Sequence, residues 1–154
     1  MTLAIELNAD PLLGVTPSKA DFAQWIDATF TSLNYQKSTE ISLSVISSAE
    51  IQTLNHTYRN KNKPTNVLSF PAELASFMQS ELLGDIVFCH EIIETEARAQ
   101  NKSVQAHWAH MTIHGTLHLL GYDHIEEDEA QAMESLEINI LESLHFKNPY
   151  QQLN

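Results

Sequence analysis

Apolar residues recur along this chain with two periods, and each change of period marks a new element. LAIEL, from Leu3 to Leu7, alternates weakly and reads as a first strand. Ser18 precedes a run in which Phe22, Trp25, Ile26, Phe30 and Leu33 return at helical spacing, which predicts a capped amphipathic helix. EISLSVIS sets Ile41, Leu43 and Val45 against polar neighbours, the alternation of a half-buried strand. Ser47 and Glu50 form a capping-box pair before a helix carrying Ile51, Leu54 and Tyr58. Pro64 stops that helix, and NVLSF reads as a strand ended by Pro71. A polar loop should follow, and then a strand over LLGDIVF.

The rest of the chain is helical in pattern. HEIIETEARAQ forms one helix, and Ser103 can cap a second that runs to about Leu120, with Gly121 as its stop. A last helix begins in an acidic run, whose carboxylates suit a helix N-terminus, and carries Met133, Leu136, Ile140 and Leu144 inward. Strands gathered early and helices late predict an α+β fold: a small mixed sheet packed with helices around a central histidine-bearing helix. No repeat, low-complexity segment or linker interrupts residues 1–154, so a single domain is expected.

Composition narrows the classes. With 154 residues and 43% hydrophobic content, the chain can bury one core. MTLAIELNADPLL lacks the charged and apolar regions of a signal peptide. No apolar run approaches the roughly 20 residues that span a bilayer, so no membrane partner is expected. Cys89 is the only cysteine, which excludes an internal disulfide framework and fits a cytoplasmic location. A formal charge of −12 argues against a surface broadly attractive to nucleic acid, DNA included. Between Ser103 and Phe146 there are eight acids and no Lys or Arg. RNKNK, by contrast, gathers Arg59, Lys61 and Lys63, three of the eight basic residues. An anionic ligand would favour that segment, although composition alone describes a solvated turn equally well.

The histidines change the picture. On the helix from Ser103, His107, His110, His114 and His118 fall within a wedge of roughly 80°. Valine, leucine and other apolar residues cover most of the remaining circumference, so this helix should be central and its imidazoles need partners. Two histidines at i and i+4 can reach one ion, and both His110/His114 and His114/His118 have that spacing. His124, just past the Gly121 turn, can fold back to the second pair, whereas His110 lies about 12 Å from His118 along the axis. The expected ligands are therefore His114, His118 and His124, with a fourth position open to water, as in a catalytic zinc site. His107 and His110 read as hydrogen-bonded core or rim residues. Cys89 with His90 is a weaker metal pair, and Asp123 could orient an imidazole or be a simple turn acid. The spacing H-x-x-x-H-x-x-G-x-x-H is also that of a long zinc-protease motif, but Gly115 stands where the protease has its glutamate base.

With these residues in view the chain resembles the YbeY endoribonucleases, bacterial zinc-dependent rRNA maturation factors. The family's H-G-x-L-H-L-x-G-Y-D-H is met in full by His114 to His124, and YRNKNKPTNVLSFP and the Leu83–Ile86 segment match two further stretches. The acidic EEDEAQAMESLE and the closing NPY fit as well, so the resemblance runs from about residue 40 to 150. It implies Zn²⁺ at His114, His118 and His124, with Arg59 and His114 as catalytic residues; Lys61 and Lys63, in the same basic cluster, are expected to track the RNA backbone more loosely. It also implies cleavage of single-stranded rRNA, 16S rRNA 3′-end maturation and 70S ribosome quality control. Small ribosomal subunit proteins and ribosome-assembly factors are the expected partners. One position departs: the family's Asp after Pro-Thr is Asn66 here, which loses a charge while keeping a hydrogen-bonding side chain. Asp85 is a candidate base, or a structural acid at a strand turn. The rival readings are a zinc peptidase or amidohydrolase, and an assembly factor with a structural ion.

Overall fold

The alternating segments pair with one another into one mixed sheet. In the computed structural model, which describes residues 2–72 and 81–150, the strands are β1 (Leu3–Ala9), β2 (Thr39–Ile46), β3 (Val67–Pro71) and β4 (Leu82–Cys89). Their order is β1-β2-β4-β3. β1 and β4 both run parallel to β2, and β3 closes the edge antiparallel to β4. The helices are α1 (Lys19–Ser32), α2 (Ser48–Arg59), α3 (His90–Ala99), α4 (Val104–Leu119) and α5 (Glu127–Ser143). The polar loop expected after Pro71 falls mostly on residues 73–80, outside the described residues.

The caps form where their residue types predict. Ser18 with Asp21, and Ser47 with Glu50, make reciprocal capping boxes, while Ser103 accepts the Ala106 N–H at the start of α4. Gly121 ends α4 with φ at 99°, a left-handed conformation that glycine adopts without a Cβ clash. Its N–H reaches the His118 carbonyl, and the Tyr122 N–H reaches that of Leu117. The chain therefore turns back sharply over the end of the helix.

Strand alternation divides the core between two faces. Ile41, Leu43, Val45, Ile86 and Phe88 pack with α1, α4 and α5, whereas Leu68, Val87 and Cys89 meet Ile51 of α2. Helix α4 touches α1, α3, α5, β3 and β4, which places it centrally. Its Thr112 and Thr116 hydroxyls donate to carbonyls one turn back, satisfying polar groups in apolar surroundings. At the end of α2 the pattern misleads: Tyr58 is 62% exposed, while Asn55 is 3% exposed. The Asn55 side-chain amide donates to the Lys63 carbonyl, and the Asn55 backbone carbonyl accepts the Lys61 N–H. The helix gives its inward position there to the group that satisfies the following turn. Among the described residues no helix is long and apolar enough to cross a membrane.

Candidate metal centre

The last turn of α4 and the reversal at Gly121 bring three imidazoles together. His114 and His118 lie one turn apart with their Nε2 atoms 3.1 Å from each other. His124 returns over them, its ring centroid 5.5 Å from that of His114 and 4.9 Å from that of His118. One nitrogen from each residue lies within 4.8 Å of the others, the one such group among the described residues. A tetrahedral zinc-type ion bound at ordinary distances holds its nitrogens about 3.4 Å apart, so small ring movements would close the triad on it. Burial, followed by the neighbouring His114 and His124 rings, pushes His118 down to about 4, leaving a neutral ring as a ligand must be. The donor set fits such an ion.

The neighbouring histidines are held elsewhere. Buried His107 bonds through Nε2 to Glu96 at 2.9 Å, and buried His110 bonds through Nε2 to Glu137 at 3.0 Å. His90 bonds to the Val15 carbonyl and to Glu94, and buried Cys89 lies against the Ser48 hydroxyl, so neither is aimed at a shared ion. Asp123 accepts the backbone N–H of His124 at 2.7 Å. The carboxylate that reaches a ring of the triad is a different one, Glu137, whose Oε2 is 2.7 Å from His114 Nδ1. Nothing in the sequence reading singled it out. Its signal was an acid in the apolar stripe of α5, four residues after Met133 and three before Ile140.

A cleft of about 680 Å³ opens on the triad, and Arg59, Lys61, Lys63 and Asn66 line it together with the three histidines. Asn60, left-handed with φ at 59°, ends α2 and starts the basic turn. The Arg59 guanidinium donates to the Ser69 carbonyl at 2.7 Å and lies 5.0 Å from the centre of the Phe70 ring. Asn66 donates its amide to Glu96, the same carboxylate that receives His107. Strand alternation turns Asp85 to the sheet face opposite Ile86 and α4, opposite Phe70 of β3, and it does not line the cleft. Gly115 faces inward to the sheet, where a Cβ would meet Ile86 at 2.9 Å. The position that supplies the base in zinc proteases thus points into the core of this fold.

The fold is similar to the solution structure of TM1509 from Thermotoga maritima, with a TM-score of 0.58 and 21% identity over 98% of this chain and 100% of that one. At that identity the likeness concerns the fold. A profile of the family described as Endoribonuclease YbeY matches residues 12–145, from the first turn to the end of α5. On that match, which takes in every cleft residue described above, the chain belongs to the YbeY family of rRNA-processing endoribonucleases.

Proposed function

We propose that this protein is a zinc-dependent endoribonuclease specific for single strands, acting in 16S rRNA 3′-end maturation and 70S ribosome quality control. The observation that carries the reading is the meeting of three imidazoles with Arg59 in one cleft. His114, His118 and His124 would hold the ion, which when bound supplies Lewis-acid polarisation of a phosphate or of water. Arg59 would hold phosphate oxygens and offset the charge that grows on them as the bond breaks. Its tether to the Ser69 carbonyl sets the guanidinium in place beforehand. Lys61 and Lys63, both exposed on the cleft wall, would follow the RNA backbone.

Specificity for single strands has support beside the cleft. Exposed Tyr58 meets Phe70 edge-on at 5.4 Å, and Arg59 covers the Phe70 ring. Unstacked bases bind such aromatic and guanidinium surfaces, whereas paired bases in a duplex cannot reach them. The net charge of −12 opposes tight binding to free RNA, so small ribosomal subunit proteins and assembly factors would supply much of the docking. We read the chain as one cytoplasmic catalytic domain. The inward position of Gly115 weighs against a peptidase.

The test is metal analysis followed by RNA cleavage. Protein made with zinc available should carry one ion and cut single-stranded RNA, with activity lost to a chelator. Arg59→Ala should fold and lose about 10²- to 10³-fold in cleavage, the scale for one charge-stabilising group. His114→Ala should fold without activity; unfolding instead would favour a structural ion. Full activity in metal-free protein would overturn the reading.

A further inference from the structure

We infer that Glu137 is a positioning residue for His114: its buried carboxylate accepts a hydrogen bond from the Nδ1–H of that ring and commits Nε2 to the ion. The inference rests on the three histidines being the metal site. Glu137 lies on α5 and is 1% exposed, a costly place for a carboxylate unless its oxygens are met by donors. They are met by three. Oε2 is 2.7 Å from His114 Nδ1, while Oε1 is 3.0 Å from His110 Nε2 and also takes the Tyr150 hydroxyl.

An ionised carboxylate can only accept, so every one of these partners must donate. In a neutral His114 ring this places the hydrogen on Nδ1 and leaves Nε2 with a free lone pair. Nε2 is the atom that faces His118 Nε2 across 3.1 Å. The carboxylate is itself held from the other side: His110 and Tyr150 both bind Oε1, which sets its plane and leaves Oε2 to the metal-site ring. A brace joining α5 to α4 would need only His110 and Tyr150. The oxygen given to His114, whose side chain is 22% exposed, goes beyond that need.

The experiment compares zinc affinity with the stability of the metal-free fold. In wild-type apo protein, ring-nitrogen NMR should find His114 protonated at Nδ1. Glu137→Gln keeps the shape but turns one acceptor oxygen into a donor, and its zinc affinity, read by chelator competition, should fall about 10- to 100-fold. Tyr150→Phe removes one partner of Oε1 and should lose less. A purely structural brace predicts lower apo stability with zinc affinity unchanged, and that result overturns the proposal. So does a wild-type His114 ring carrying its proton on Nε2, a measurement that decides the matter even if Glu137→Gln does not fold. Wild-type protein that takes up no zinc would instead overturn the metal site itself.

Discussion

Adding one methyl group at Gly115 probes how tightly α4 is held beside the candidate centre. The new Cβ would lie 2.9 Å from Ile86 Cγ2, 3.2 Å from Ser69 Oγ and 3.4 Å from Ile86 Cδ1. Carbon atoms in good contact sit about 3.5–4.0 Å apart, so helix and strand would have to separate by roughly 0.5–1 Å. Little can yield. Ile86 is fully buried in the central strand β4, and its Cγ2 is bonded directly to Cβ. Ser69 donates to the Gly115 carbonyl at 2.9 Å, clamping β3 to the same point of the helix. Overpacking of this kind costs about 1–3 kcal/mol. Alanine in a helix recovers about 1 kcal/mol relative to glycine. Gly115→Ala should therefore lose about 1 kcal/mol net in urea unfolding of the apo protein, or about 2–4 °C in melting temperature. The displaced turn carries His114, so zinc affinity should fall as well. A gain of about 1 kcal/mol with unchanged zinc binding, as on an open helix face, would refute the reasoning. Gly115→Glu should bury a carboxylate against Ile86 and yield no peptidase.

Three further perturbations test other contacts. Asn66→Asp sets a second carboxylate beside Glu96, where the amide now donates at 3.2 Å; stability should drop by about 1–3 kcal/mol at pH 8 and by less at pH 6, where a proton relieves the repulsion. Equal loss at both values would exclude a charge effect. Tyr58→Ala, at a side chain 62% exposed, should leave stability nearly unchanged while weakening single-stranded RNA binding by about 1–3 kcal/mol. Duplex binding that falls equally would count against stacking. The third concerns pH. Burial depresses the His107 pKa, outweighing its bond to Glu96, so the folded chain resists a proton that the unfolded chain accepts. Its contribution is complete above the ordinary value of 6.5 and is lost as pH falls below it towards the folded value. His107→Gln should flatten the decline of stability between pH 7 and 5, and an unaltered slope would contradict this.

Periodicity and caps were enough to locate the helices and strands, because those signals act through bonds and faces a few residues apart. Ser18, Ser47, Ser103 and Gly121 each end or start a helix as their chemistry dictates. The triad was legible for the same reason: His114 and His118 share a helix face, and His124 is only six residues further along a forced turn. The basic turn was visible as composition, but composition could not say that the chain entering β3 would bring Asn66, and β3 the Arg59 tether, to the mouth of that triad.

Other features depend on contacts between distant elements. Glu137 reaches His114 across 23 positions and Tyr150 meets it from the C-terminal segment, so their partnership exists only once α5 packs on α4. Asn66 finds Glu96 across 30 positions, which makes an amide the fitting side chain there. The pleat of β4 sets Asp85 on the sheet face opposite α4, and the fit of α4 on β3 and β4 points residue 115 into the core. Local sequence thus determined which ligands could share an ion. Packing between distant segments decided which acids and cations surround them, because a carboxylate's partner depends on where another element lies in space.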